Sequence, residues 1–192
     1  MQIKALTDQI KLFFQNSGQA WQHVIEEAPD AGKINRDLLF PLLIATAVTQ
    51  FLGVIFQSGF SATLAALSTA FAHVSATYIG IRLSAFLLSK LNNTFETEID
   101  PDKALQLLAY SMIPYLVAGV LIGLHPSSLY FLKLVYLYIF YLMWQGSDLF
   151  FGINDNRRPG FVLISTILLF AIIQAVLTIL IKILPVEVVR IA

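Results

Sequence analysis

The chain has 192 residues, of which 57% are hydrophobic and 12% are charged, and its formal net charge is zero. Because soluble domains carry about 25% charged residues, this composition indicates an integral membrane protein without a separate soluble domain. The neutral balance argues against a nucleic-acid partner, and the absence of cysteine excludes disulfides and thiolate metal sites. We expect neither a metal site nor a cofactor.

Residues 1–37 are predicted to form a cytoplasmic, amphipathic segment. In each of two short stretches the apolar residues share one helical face, first Ile3, Leu6, Ile10, Phe13 and Phe14, then Trp21, Val24, Ile25 and Ala28. Such helices lie in the plane of the membrane interface. Two roles are open, a brace that rests on lipid and a docking surface for a cytoplasmic partner. The brace is favoured because lipid alone would satisfy the Phe and Trp side chains.

Residues 38–192 are predicted to be an all-α bundle of five transmembrane helices. The spans are expected at residues 38–56, 63–91, 104–124, 128–151 and 161–184. The third span has no charge between Lys103 and His125, and at 1.5 Å per residue it covers about 30 Å, the thickness of the hydrocarbon core. A turn at residues 125–128 joins the third and fourth spans, and Pro185 ends the fifth.

Basic residues predict how the bundle is oriented. An odd number of spans places the two termini on opposite sides of the membrane. With the amino terminus inside, the cytoplasmic side receives Lys4, Lys11, Lys33, Arg36, Lys90, Lys103, Arg157 and Arg158, and the other side only Lys133, Lys182 and Arg190. The positive-inside rule therefore predicts a cytoplasmic amino terminus and a carboxyl terminus on the opposite side.

Small residues predict where helices approach one another closely. In the second span they recur at every fourth position, as Ser68, Ala72, Ala76, Gly80 and Ser84, and the third span carries Gly119 and Gly123. Small residues at this spacing let helix backbones come together in a bilayer. The second span is therefore predicted to be the packing centre. The same motifs make a homodimer, or contact with another membrane protein, plausible unless the bundle itself uses them.

Three ionisable side chains, His73, Arg82 and Asp148, lie within the predicted spans. Intramembrane charges are functional candidates because they are costly to bury. Arg82 and Asp148 both fall in the cytoplasmic half, so we predict an ion pair or a short hydrogen-bond chain between them. Alternatively, Arg82 snorkels to the interface. His73 is expected to pack or to hydrogen-bond.

Polar residues also line one side of the predicted fourth span. Tyr138, Tyr141, Gln145 and Asp148 follow helical spacing and form what we call the polar stripe. It could line a water-filled path, but such stripes more often hold helices together by hydrogen bonds. The chain has no HExxH, GxSxG or glycine-rich phosphate loop, so we do not expect an enzyme.

Two motifs resemble the Yip family, the Ypt/Rab-interacting polytopic membrane proteins. The run Ala109-Tyr110-Ser111-Met112-Ile113-Pro114 is similar to that family's G-Y-S-x-x-P, and Asp37-Leu38-Leu39-Phe40-Pro41 is similar to its D-L-Y-G-P. Ala109 and the Leu39-Phe40 pair depart from these patterns. The motif positions carried over are Asp37, Pro41, Tyr110, Ser111 and Pro114. From the residues themselves, Asp37 and Pro41 are expected to start a helix and Pro114 to bend the third span.

The resemblance implies five spans and a cytoplasmic amino terminus. The short form is similar to bacterial members, which implies a bacterial inner-membrane location. The long soluble region of eukaryotic members has no counterpart here, so Rab binding is not expected. We predict a non-enzymatic protein that organises membrane partners or membrane shape. The alternative is a permease or a lipid or solute pathway lined by the second and fourth spans.

Overall fold

The computed structural model describes residues 3–124 and 129–184, together with every side chain in those ranges except those of Asn93 and Tyr130. These ranges are helical and contain no β-strand, in agreement with the predicted all-α class. The turn expected at residues 125–128, the helix end expected at Pro185 and the tail with Arg190 lie outside the described residues.

Two helices form an N-terminal hairpin, α1 (Ile3–Gln15) and α2 (Ser17–Glu27). The side chain of Asn16 caps α2 by accepting a hydrogen bond of 3.1 Å from the backbone N–H of Gln19. Ala28 ends α2 in the left-handed conformation, with φ of 41°. A polar cap and a left-handed terminator confine α2 to eleven residues.

The first long helix begins earlier than expected. It starts with α3 (Ala31–Ile34), continues through a π-helical turn (Asn35–Leu39) and extends into α4 (Phe40–Ser58). Asp30, and not Asp37, supplies the cap, because its carboxylate accepts a hydrogen bond from the Lys33 N–H. Pro41 has no N–H to donate to the preceding turn, and the π-helical turn lies directly before it. Asp37 therefore does not start this helix.

The middle of the chain forms the 3₁₀ turn Phe60–Ala62, α5 (Thr63–Leu88) and the short α6 (Asn92–Phe95). These elements are followed by α7 (Pro101–Ser111) and α8 (Ile113–Leu124). Asp100 caps α7 by accepting from the N–H groups of Asp102 and Lys103. The helix is interrupted at Met112, two residues before Pro114, which cannot donate a backbone hydrogen bond.

The last third contains a 3₁₀ segment (Tyr130–Leu137), α9 (Tyr138–Phe151) and α10 (Arg158–Ile183). Gly152, with φ of 57°, ends α9 in a conformation that glycine adopts without strain. The α9–α10 turn is held to the segment after α6 by an ion pair of 2.6 Å between Arg157 and Glu96.

Four helical stretches of the described chain are long and apolar enough to cross a membrane: Ala31–Ser58, Phe60–Leu88, Pro101–Leu124 and Arg158–Ile183. The fifth predicted span corresponds to the 3₁₀ segment and α9. At about 2.0 Å per 3₁₀ residue and 1.5 Å per α-helical residue, the two would together extend about 37 Å, enough for a crossing. Its tyrosines, Lys133 and Gln145 make it less apolar. Five spans therefore remain a prediction.

The centre of the bundle is α5, which packs most extensively against α10 and α4 and also against α7. The helices before and after the break at Met112 have different main neighbours. The first, α7, packs mainly on α5 and α9, and the second, α8, packs mainly on α4. The N-terminal hairpin joins this bundle through α2, which packs on α9.

Candidate functional site: the docked N-terminal hairpin

The apolar face of the N-terminal hairpin is covered by protein. Phe13 is 1% exposed and Trp21 is completely buried. The Trp21 ring makes edge contacts with Phe13 at 5.1 Å and with Phe150 of α9 at 5.6 Å between ring centroids. The sequence prediction was that lipid would cover these residues. Instead, aromatic packing supplies the apolar environment, while Ile3 and Phe14 stay exposed.

The hairpin covers one of the two family-like motifs. Tyr110 is buried, and its ring stacks on Phe13 at 5.6 Å and meets Trp21 at 6.4 Å. Ser111 is fully buried just behind Tyr110. Three residues before the motif, Gln106 donates a hydrogen bond of 2.9 Å to the carbonyl of Pro29. The segment that follows α2 is therefore held to α7 as well.

The polar stripe contacts the same hairpin. The Tyr138 hydroxyl donates a hydrogen bond of 3.0 Å to the carbonyl of Phe13, and its ring stacks on Phe14 at 5.8 Å. The amide of Gln145 donates to the Tyr141 hydroxyl at 2.7 Å. A pocket of about 640 Å³ separates Tyr141 and Gln145 from the α1–α2 turn at residues 16–18. Most of the stripe thus faces the hairpin.

The predicted ion pair between Arg82 and Asp148 is wrong. The Asp148 carboxylate accepts a hydrogen bond of 2.7 Å from Nη2 of Arg158, and the same nitrogen lies 2.9 Å from Asp155. Asp148 lies in the last turn of α9, where the helix dipole disfavours a negative charge. Arg158 is the first residue of α10, where the dipole disfavours a positive charge. Pairing them across the turn offsets both penalties.

Arg82 and His73 lie elsewhere in the bundle. The Arg82 guanidinium lies over the ring of Tyr78, 5.9 Å from its centroid, on the same helix. His73 lines a second cavity, of about 650 Å³, between α4, α5, α8 and α10. The six candidate polar residues therefore occupy four separate environments. Of the described residues, no group of three His, Asp or Glu is placed to hold a metal ion.

The predicted small-residue motifs lie at helix contacts. All five small residues of α5 are buried, namely Ser68, Ala72, Ala76, Gly80 and Ser84. Gly80 faces Ile173 of α10, where a Cβ would come within 3.2 Å of the Ile173 Cα. Gly123 of α8 faces Thr49 and Gln50 of α4, whereas Gly119 meets Thr46 at ordinary contact distance. These motifs are used inside the bundle and give no separate support to a homodimer.

Comparison with known protein families identifies the family of this chain. The model of the Yip1 domain matches residues 10–178, well over half of the chain. The chain belongs to the Yip1 domain family. Together with the apolar helices, this membership identifies an integral membrane protein. A search of curated proteins and a search of solved structures returned no match. The Yip1 domain match includes α2 and the motif at residues 109–114 that α2 covers.

Sequence reasoning missed the docking of the hairpin and the partner of Asp148. Gly146 could have indicated the docking of the hairpin. It is a glycine within an aromatic-rich helix, and a glycine inside a helix often has a packing reason. In the structure the Trp21 ring lies against it. The Arg157-Arg158 pair, which follows Asp148 by about ten residues, could have indicated the partner of Asp148.

Proposed function

We propose that this protein is a non-enzymatic membrane protein that organises a membrane partner or membrane shape, and that the docked N-terminal hairpin is its contact element. The observation that carries the proposal is the division of the hairpin into two faces. Phe13 and Trp21 are buried on the bundle, whereas Gln22, His23 and Glu26 remain exposed. A rigidly held polar surface is available to a partner, and it does not need lipid to cover it.

The proposal includes a cytoplasmic amino terminus, five spans and an inner-membrane location. The positive-inside rule and the sufficient length of the 3₁₀ segment with α9 support it. In this orientation the hairpin belongs to the cytoplasmic half of the bundle. Lys33, which pairs with Glu27 at 2.6 Å, keeps the end of α2 next to the start of the first long helix.

The experiment places a photo-cross-linking amino acid at Gln22 or Glu26 of the full chain in its native membrane. A discrete protein adduct from either position, absent from a probe at the exposed apolar residue Leu134, would support a partner on the hairpin. Reconstituted liposomes whose diameter changes in the wild type but not with Gln22→Ala combined with Glu26→Ala would support the shape role. If no adduct forms and no shape change occurs, the proposal is contradicted.

The alternative is a permease or a lipid or solute pathway lined by the second and fourth spans. One observation favours it, the cavity that His73 lines together with Lys133 of the 3₁₀ segment. The polar stripe does not join this cavity, because it faces the hairpin. Flux in proteoliposomes that is lost in Gly119→Leu, whose side chain would enter the cavity, would favour the alternative. Absence of flux for ions, small solutes and lipids would count against it.

A further inference from the structure

The cavity between α4, α5, α8 and α10 has the size of a ligand site. Its volume is about 650 Å³, within the range of about 300–1,000 Å³ that small-molecule pockets occupy. Its lining extends along α4 from Leu43 to Gln57, which is about 21 Å at 1.5 Å per residue. Filling it with water would take about twenty molecules at about 30 Å³ each.

Most of the wall is apolar, including Leu43, Val74, Leu116, Phe170, Ile173 and Leu177. The threonines of the wall add little polarity, because their hydroxyl donors are already used. Thr46 donates to the Leu42 carbonyl at 2.9 Å, Thr69 to the Ala65 carbonyl at 2.8 Å and Thr77 to the His73 carbonyl at 2.9 Å. Apolar walls of this kind favour a hydrocarbon chain over water.

Three helices contribute polar side chains to the lining of this cavity: Gln50 from α4, His73 from α5 and Gln174 from α10. The Gln50 Oε1 atom is buried and has no hydrogen-bond partner in the described part of the chain. A buried acceptor is usually paired, and a ligand in the cavity can supply the donor for Gln50 Oε1.

The described lining residues include one lysine and neither Asp nor Glu. The lysine is Lys133 of the 3₁₀ segment. Lys133 is exposed, and the next residue, Leu134, is 70% exposed. Most other residues of this 3₁₀ segment are apolar. A surface of this composition faces lipid, so a ligand that enters beside Lys133 comes from the bilayer.

From these features we infer that the cavity binds one anionic phospholipid whose headgroup carries a hydroxyl. The phosphate lies near Lys133, a headgroup hydroxyl donates to Gln50 Oε1, and an acyl chain occupies the apolar part of the wall. This site is separate from the N-terminal hairpin and does not depend on the proposed partner role.

The test uses the purified full chain in detergent and native mass spectrometry with three probes: phosphatidylglycerol, phosphatidylcholine and glycerol 3-phosphate. We expect phosphatidylglycerol to bind well and the other two poorly. Lys133→Gln should lower the affinity for phosphatidylglycerol about tenfold, and Gln50→Leu about three- to tenfold, because each removes one polar contact. Lys90→Gln, which removes an exposed cation just after the end of α5 and outside the cavity, is the matched control.

Thermal unfolding of the lipid-free variants shows whether a loss of lipid binding comes from a loss of folding. Gln50→Leu removes an acceptor that has no partner among the described residues, so the lipid-free protein should unfold at the same temperature or higher. Equal binding of phosphatidylcholine, binding unaffected by both variants, or no bound lipid would overturn the inference. Tight binding of glycerol 3-phosphate alone would identify a solute site instead of a phospholipid site.

Discussion

The indole ring of Trp21 lies directly against Gly146, and a Cβ atom at residue 146 would come within 2.9 Å of the indole Cζ2. This contact joins α2 to α9 and places Trp21 beside Tyr110 of the Yip1-like motif. It explains why an amphipathic segment that sequence reasoning assigned to the lipid interface is part of the bundle core.

Trp21→Ala should destabilise the protein more than any exposed substitution in the hairpin. The side chain is completely buried, and truncations of buried Phe or Trp cost about 3–5 kcal/mol. Thermal unfolding in detergent and protease sensitivity of the hairpin are the measurements. His23→Ala, exposed on the same helix, is the control and should change little. Equal unfolding temperatures for the two variants would contradict the docked hairpin.

Gly146→Ala should loosen the same contact from the opposite side. The added methyl group would meet Trp21 and the side chain of Leu107, so one of them must move. We expect a loss of about 1–3 kcal/mol, typical of overpacking. Gly160→Ala is a matched control, because a Cβ at that helical glycine meets nothing within 4 Å. It should be neutral or slightly stabilising, since alanine favours a helix over glycine.

The two glycines of α8 should respond differently to the same change. A Cβ at Gly123 would lie 2.9 Å from the backbone nitrogen of Gln50, which cannot move without displacing α4. A Cβ at Gly119 would lie 3.5 Å from the Thr46 methyl, an ordinary contact. Gly123→Ala should therefore lower the unfolding temperature in detergent, while Gly119→Ala leaves it close to the wild-type value. A reversed order would show that α4 and α8 do not pack as described.

Asp148 should couple to Arg158 and not to Arg82. A double-mutant cycle with Asp148→Asn and Arg158→Gln should give a coupling of about 0.5–1 kcal/mol, modest because the carboxylate is about half exposed. The cycle with Asp148→Asn and Arg82→Gln should give none. Measurable coupling in the second cycle would restore the ion pair that the sequence had suggested.

Much of the fold follows from local chemistry, because long apolar runs and turn residues act within a few neighbouring positions. The membrane helices, the cap at Asp100 and the break near Pro114 could be predicted in this way. Contacts such as Trp21 with Gly146 join residues more than one hundred positions apart, and periodicity carries no information about such pairs. The cavity was missed for the same reason, since Gln50, His73 and Gln174 come from three different helices.

The partner of Asp148 shows a second limit. Depth along a helix made Arg82 an acceptable partner, but depth does not specify direction around the helix axis. Arg158 lies on the next helix, directly across the short α9–α10 turn, so forming its pair requires little chain ordering. Proximity along the chain was the better guide at this position.

The most direct test of the docked hairpin uses the absence of cysteine from the chain. Ser17→Cys combined with Gln145→Cys places two thiols on the same pocket, and Gln22→Cys combined with Gln145→Cys is the control, because Gln22 points away from the bundle. In native membranes, a short bifunctional thiol reagent should cross-link the first pair and not the second. If neither pair cross-links and a membrane-impermeant reagent freely labels Ser17→Cys, a position that is 6% exposed in the docked hairpin, the hairpin is not docked.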